Sequence, residues 1–372
     1  MRAGVIVLLA VVSTIAAAEP PLQALARHAG AGQGVFVEAE DGTILVSQAA
    51  DRAVHPASVT KVATTLTLLA KLGPTHRFET HLLGTGAIHD GVLGGDLVVD
   101  AGRDPFLVDE GVALIADRLR ALGIREVDGR LVVHGPLLFD WQPDDDGKRL
   151  ARALAAPKGA APVVIHGRTV ASDAPRPLLT YRSPPLLHVA KMLNCYSNNV
   201  FHLVSPVVGG PPAVQEFARA QVPEAMREEI VIENGAGGGD TNRLSPRAAT
   251  ALLRALAREL QDEGHQLTDV LPVSGTDPGT LEERLIEPPT HRRMVVGKTG
   301  TFGSVGASAL AGMLHTTRWG TVAFAVLNHN VPVPEARKRQ DAFVHALIDA
   351  TGAVPWPYDT VAHATFSAAE ID

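Results

Sequence analysis

Strand-like segments lie at both ends of this chain, with helical patterns between them. Near the start, "GVFVEA" and "TILVSQ" flank Glu40-Asp41-Gly42, and Asp-Gly between two apolar runs is a strong short-range hairpin signal. Near the end, "RRMVVGKTGTF", "SALAGMLHT" and "TVAFAVLNH" read as three more strands, followed by a helix over residues 335–350. This arrangement predicts one discontinuous sheet, closed by N- and C-terminal segments, from which the middle of the chain departs and to which it returns.

The departures are legible. After Pro56, "SVTKVATTLTLLAKLG" carries Val62, Leu66 and Leu69 at helical spacing and Gly73 as a C-cap, which places Ser58 at a helix start. Over residues 75–185 the texture changes to short strands and turns around one evident helix at 109–122. These residues read as an inserted β-rich domain, with 19–74 and 186–372 as the two parts of the main domain. Within the insert, "DWQPDDDGKR" lacks the spaced ligands ending in Glu of a calcium loop and reads as a solvated turn. Helical patterns resume at "PLLHVAKMLNCYSNNVFHLVS" and "SPRAATALLRALARELQ", with Pro246 in a first turn.

Composition narrows the function classes. With 46% hydrophobic residues in 372, the chain can bury a sizeable core. The formal net charge of -7 includes no long run of either sign, so nucleic acid finds no basic face to follow. Aromatics at 4% leave few stacking platforms. Residues 1–18 have the form of an export signal: Arg2, an apolar run over 5–15, then Ala16-Ala17-Ala18. That run is shorter than a membrane span of about 18–20 residues, so no transmembrane anchor is expected in the mature protein. Cys195 is the only cysteine; no intrachain disulfide can form, and stability must come from packing.

Three elements carry chemistry in order: Ser58-Val59-Thr60-Lys61, the stretch Asn194-Cys195-Tyr196-Ser197-Asn198-Asn199, and Lys298-Thr299-Gly300-Thr301. On a helix, Ser58 and Lys61 share a face, so the amine reaches the hydroxyl. A serine alcohol needs an adjacent base, and lysine serves as one when burial and a nearby cation such as Lys298 pull its pKa down. A helix start adds N–H donors for developing negative charge. The bland alternative is an N-cap serine followed by a solvated lysine. Lys298-Thr299-Gly300-Thr301 on an edge strand would form a groove wall where a peptide lies as an extra strand; the alternative is an ordinary strand end. The middle stretch holds two overlapping triplets, Tyr196-x-Asn198 and Ser197-x-Asn199. The first points to a class C β-lactamase and the second to a peptidase. No H-E-x-x-H or C-x-x-C spacing exists, so no metal or other cofactor is expected.

S-x-x-K, S-x-N and K-T-G in this order form the set shared by penicillin-binding proteins and class A β-lactamases. Within that superfamily the chain resembles the D-alanyl-D-alanine carboxypeptidase/endopeptidase group, the class C low-molecular-mass penicillin-binding proteins. The likeness runs from about Gly34 to about Ala350 through segments such as "HPASVTKVATTLTLLAKLGPTHRFET", "GVLGGDLVVDAGRDPFL", "MLNCYSNN", "PVSGTDPGTLEERL" and "VVGKTGTFGSVGASALAG". The resemblance implies an α/β (α+β) penicillin-binding/β-lactamase-like transpeptidase fold, an antiparallel sheet flanked by helices. It implies a periplasmic hydrolase whose partners are peptidoglycan peptides and β-lactams. By the same resemblance, Ser58 is the acylated nucleophile, Lys61 its base, Ser197 the proton relay and Lys298 its electrostatic support. Asn199 orients the substrate amide, Thr299, Gly300 and Thr301 hold the substrate with its terminal carboxylate, and the N–H groups of Ser58 and Thr301 form the oxyanion hole. The alternatives are a serine β-lactamase, for which no E-x-x-L-N loop is found, and a non-catalytic peptidoglycan-binding member.

Some residues depart from the group. Ser58 and Ser197 are 139 positions apart, a short interval that implies one inserted domain where relatives have two. Ala236 in "ENGAGGGD" and Pro278 in "GTDPGTL" replace more usual residues, and neither is expected to touch the three motifs. His134 lies near the place where some relatives put an acidic residue toward a diaminopimelate side chain.

Overall fold

Both ends of the chain meet in one sheet. The computed structural model describes residues 22–171, 173–358 and 368–372; the export signal expected at 1–18 lies outside the described residues. Strands β1 (Gly34–Glu38) and β2 (Ile44–Gln48) form the expected hairpin, with Gly42 at φ +87° in its turn and Asp41 Oδ1 accepting from Thr43 N at 2.9 Å. Strands β3 (Val295–Phe302), β4 (Ala307–Thr316) and β5 (Gly320–Asn328) complete an antiparallel order β3-β4-β5-β1-β2. The pairing of Gly34 with Leu327 joins the first strand to the last of these.

Four helices matter for the site: α1 (Lys61–Leu72), α2 (Leu186–Cys195), α3 (Pro246–Asp262) and α4 (Val333–Thr351). Both faces of the sheet are covered, so alternation along its strands sorts side chains by size rather than by polarity. One face presents Val37, Leu310, Leu314, Phe324 and Val326 to α4 and to the 3-10 segment Leu22–Ala29. The other presents Ala309, Ala311, Ala323 and Ala325, and these small side chains let α3 lie close, with α1 packed on α3. Ser245 caps α3 by accepting from Ala248 N at 3.1 Å, and Pro246 starts it. Helix α4 begins two residues before the expected 335 because Pro334 fits a first turn.

The insert builds a second, mixed sheet in the order Glu370–Ile371, Arg176–Arg182, Glu79–Gly84, Leu97–Ala101, Leu131–His134. Its outer strand comes from the end of the chain, Tyr181 lying opposite Ile371, whereas the sequence groups residues 186–372 with the main domain. The insert has its own core around Leu82, Leu97, Ile115 and Leu119. Helix Asp109–Ala121 is joined by a second helix, Lys148–Ala155, where the sequence predicts one. The turn before it is not simply solvated. Asp144 is buried and its carboxylate accepts from Arg149 N at 3.0 Å and Leu150 N at 2.9 Å, which satisfies donors that a helix start leaves open. Eight residues after an Asp-Gly turn give too short a periodic run to see in sequence.

Asp144→Ala leaves those donors unsatisfied in a buried place and is expected to cost about 1–3 kcal/mol, whereas exposed Asp145→Ala stays within about 0.5 kcal/mol. Urea unfolding of the two variants measures the difference; equal midpoints would count against the capping role.

Candidate active site

Ser58 lies in a 3-10 turn, Ala57–Thr60, that runs directly into α1 at Lys61. It therefore precedes the helix, whose cap position is Thr60. The turn is held in an uncommon shape, with Ala57 at φ +48°. His55 supports it from below: Ala57 N donates to His55 Nδ1 at 3.1 Å, so the ring proton is on Nε2, which donates to Gly239 O at 2.8 Å. Burial lowers the His55 pKa, in keeping with a neutral ring. The same ring stacks on Phe302 of β3 at 4.6 Å between centroids. From the sheet side, Gly300 presses on the turn so closely that a Cβ there would stand 2.6 Å from Pro56 O and 3.0 Å from Ser58 N.

Lys61 is fully buried, and its Nζ lies 2.7 Å from Ser58 Oγ, 2.6 Å from Ala236 O and 3.2 Å from Asn199 Oδ1. Those three partners suit a neutral amine. Its two N–H groups donate to the two carbonyl oxygens, and its lone pair is left for the Ser58 hydroxyl proton. Burial, with the nearby charge of Lys298, pushes the Lys61 pKa down to about 6. Lys298 is also fully buried, donates to Ser197 Oγ at 2.9 Å and Thr299 O at 2.9 Å, and is pushed down to about 7 by burial.

Helix α2 stops at Cys195, and Ser197 follows at φ +53°. Asn198 Oδ1 accepts from Val200 N at 2.9 Å to start the next helix, Val200–Val204. This bend turns Ser197 toward Lys298 and Asn199 toward Lys61. Tyr196 is 53% exposed and does not line the cleft. The triplet that meets both lysines is Ser197-x-Asn199. Cys195 is buried, and burial raises its thiol to about 12, so it is not a reactive thiolate.

Strand β3 forms the edge of the sheet. Ser274 N donates to Val295 O at 2.9 Å and Gly297 N to Pro272 O at 3.1 Å, so odd-numbered residues turn their backbone groups off that edge. By strand alternation Thr299 and Thr301 do the same one and two steps further on. They face a cleft of ≈ 620 Å³ shared by Ser58, Ser197, Asn199 and Arg337, with Gly279, Thr280, Glu282, Glu283 and Arg284 also lining it. All eight residues that the motifs single out, Ser58, Lys61, Ser197, Asn199, Lys298, Thr299, Gly300 and Thr301, are thus brought together.

A model of the D-Ala-D-Ala carboxypeptidase 3 (S13) family matches residues 19–161 and 142–349. The chain belongs to that family. Among curated relatives, Carboxypeptidase DacB of Mycolicibacterium smegmatis is 26% identical, covering 84% of this chain and 79% of its own length. Among solved structures, the Bd0816 predatory endopeptidase of Bdellovibrio bacteriovorus superposes with a TM-score of 0.74 at 20% identity, over 91% of this chain and 99% of that one. Penicillin binding protein 4 of Haemophilus influenzae gives 0.66 at 18% identity, over 87% and 99%. The last two show the same fold.

For this S13 chain the departures acquire a physical meaning. Ala236 does touch the motifs, contrary to the sequence expectation: its carbonyl is the shortest contact of Lys61. A backbone oxygen does this work, so replacement of the side chain leaves it intact. The "GTDPGTL" turn also reaches the site, since Gly279 and Thr280 line the cleft and a Cβ on Gly279 would stand 2.4 Å from Cys195 O. His134 is exposed on the insert's sheet and is not among the lining residues, none of which comes from the insert. Sequence reasoning missed His55, the Ala236 carbonyl and Arg337, whose guanidinium donates to Thr301 Oγ1 at 3.1 Å. Backbone contacts leave no mark on residue type, and Arg337 is one of two arginines on α4.

Two outcomes follow from this geometry. Gly300→Ala must open the gap between β3 and the Ser58 turn, and the rate of labelling by a fluorescent penicillin is expected to fall at least about 10²-fold; labelling at a rate near that of the unaltered enzyme would refute the close-approach argument. Lys61 is protonated in the unfolded chain up to its ordinary pKa of 10.5 but loses its proton above about 6 when folded. The unfolded state binds the extra proton in that window, so stability contributed by this group rises with pH from about 6 to about 10.5. The unfolding free energy of the native enzyme minus that of Lys61→Met should climb across that window, and a flat difference would show a charged lysine.

Proposed function

We propose that this chain is a periplasmic serine DD-peptidase that cleaves peptide bonds following D-alanine in peptidoglycan stem peptides and cross-bridges. The observation that carries the reading is the buried, carboxylate-free Lys61 with its nitrogen 2.7 Å from Ser58 Oγ. Ser58 Oγ attacks the scissile carbonyl carbon while its proton passes to the neutral Lys61 amine. The oxyanion that forms is met by the N–H groups of Ser58 and Thr301, the latter turned off the sheet edge into the cleft. As the intermediate collapses, the C–N bond breaks and the proton that Lys61 took from Ser58 passes to the departing amine through Ser197 Oγ, which Lys298 polarises at 2.9 Å, so that Lys61 is neutral again. Asn199 holds both Lys61 and the substrate amide. Water, deprotonated by Lys61, then attacks the acyl carbon, the ester C–O bond to Ser58 breaks, and Lys61 returns the proton to Ser58 Oγ.

The peptide backbone lies along the outer edge of β3 as an added strand, hydrogen-bonded to Thr299 and Thr301. A β-lactam fits the same place as a substrate mimic. Residues 1–18, which have the form of an export signal, support release into the periplasm. Residues 75–185 serve as an accessory domain that stands off from the cleft.

A fluorescent penicillin is expected to label the native enzyme and not Ser58→Ala; an unlabelled native enzyme would overturn the reading. Incubation with purified muropeptides followed by mass analysis separates the two activities, loss of one alanine marking carboxypeptidase and cleaved dimers marking endopeptidase. Ser197→Ala should lower turnover at least about 10²-fold, while Tyr196→Phe should leave it within about twofold. The reverse pattern would put the work on the other triplet. The acylation rate should increase as pH rises through about 6, where Lys61 loses its proton, and decline above about 7, where Lys298 does; a profile flat from pH 5 to 9 would contradict both assignments.

A further inference from the structure

We propose that Arg337 is a specificity-determining residue of the cleft, whose guanidinium reads the free carboxylate next to the scissile bond on the leaving-group side. The inference rests on the DD-peptidase reading above and adds to it the residue that distinguishes a carboxylate-bearing leaving group from a neutral one.

The argument begins with what Lys298 cannot do. It is fully buried, its nitrogen is committed to Ser197 Oγ and Thr299 O, and burial lowers its hold on a proton. A cation that meets a substrate carboxylate in the open cleft has to come from elsewhere. Of the basic side chains along the cleft, Arg284 is engaged by Asp341 Oδ1 at 2.5 Å and by Gln340 Oε1 at 3.2 Å, so its charge is already compensated. Arg337 is different. It lines the cleft together with Ser58, Ser197 and Thr299, it is exposed, and its hydrogen bond goes to the hydroxyl of Thr301 at 3.1 Å. Among the described residues it makes no ion pair with a carboxylate of the protein.

The hydroxyl it touches belongs to the edge-strand residue that faces the cleft. A guanidinium anchored by one N–H to a neutral oxygen keeps the rest of its planar fork free for a bidentate carboxylate. The rest of the lining adds an electrostatic reason. Glu282 and Glu283 also line the cleft, and Glu282 Oε2 accepts from Gly279 N at 3.1 Å. Without Arg337 the cleft would present two carboxylates and no solvent-facing cation to an incoming anion. Arginine, not lysine, suits the place, because the fork supplies two parallel donors where an ammonium supplies a point charge.

The test crosses two enzymes with two substrates: the native enzyme and Arg337→Gln, each given a peptide ending in D-Ala-D-Ala with a free carboxylate and the same peptide ending in the carboxamide. For the free carboxylate, kcat/KM is expected to fall about 10- to 100-fold in the variant, while for the carboxamide it changes less than about twofold. Arg337→Lys should recover part of the loss on the carboxylate, and it takes the place of the glutamine variant should that one fail to fold. An equal loss on both substrates, or no loss on either, would overturn the proposal. Fluorescent-penicillin labelling of the native enzyme keeps the two questions apart. Labelling together with an equal loss sinks the role of Arg337 and leaves the peptidase reading standing, whereas no labelling sinks the reading on which it rests.

Discussion

Lys61 and Lys298 are both fully buried, and neither has a carboxylate among its described partners. Removing an ammonium from water without an opposing charge is costly enough that the group gives up its proton instead, and both lysines are accordingly pushed toward neutrality. The surrounding architecture has to supply the dryness and also the oxygen acceptors that hold the nitrogens in place. Helix α1 positions Lys61 by its first residue, β3 positions Lys298, and the loop around Ala236 closes over the first of them with a backbone carbonyl. The burial that makes the lysines give up their protons is therefore the same burial that builds the core between sheet and helices.

That enclosure depends on places where a side chain is missing. The Ser58 turn is clamped from two sides by glycine. A Cβ on Gly300 would stand 2.6 Å from Pro56 O, and one on Gly237, which is also at φ +83°, would stand 2.0 Å from Ala57 O. Behind the turn, alanines at 309, 311, 323 and 325 let α3 come close to the sheet. Larger residues at these positions would push the helical layer outward and admit water to Lys61, with the consequence that its pKa would return toward the ordinary value. Packing density and chemistry are linked here through the dielectric around one nitrogen.

Much of this was readable in the sequence, for identifiable reasons. Val62, Leu66, Leu69 and Gly73 announce α1 because a helix repeats its apolar face and glycine readily takes the positive φ, here +84°, at which this one ends. The hairpin at Asp41-Gly42 and the three late strands are equally local signals. The eight motif residues gather at one site, with Ser58, Ser197, Asn199, Thr299 and Thr301 lining its cleft and the two lysines buried behind it, because S-x-x-K, S-x-N and K-T-G mark three elements that the family's fold brings together, and the family itself is confirmed. Three kinds of feature were hidden. The helix Lys148–Ala155 is too short to show a period. The pairing of residues 370–371 with the insert joins segments about 190 positions apart through backbone hydrogen bonds, which no residue type encodes. The contacts of Lys61 with Ala236 O and of His55 with Ala57 N and Gly239 O likewise run through the main chain, so the substitution at 236 looked remote from the motifs although its carbonyl is in contact with them.

The overlap of two triplets within Asn194–Asn199 shows most clearly where pattern ends and geometry begins. Both registers satisfy a motif, and no composition or spacing separates them. What separates them is the backbone at one residue. Helix α2 ends at Cys195, the chain turns through φ +53° at Ser197, and Asn198 spends its side chain on the next helix start. Neither Tyr196 nor Asn198 lines the cleft, whereas Ser197 and Asn199 do. Ser197 and Asn199, on either side of Asn198, are left to meet the two buried lysines. A left-handed serine is strained relative to ordinary backbone, and the strain is tolerated because the bend delivers one hydroxyl and one amide to two nitrogens that have no other side chains to satisfy them except Ser58.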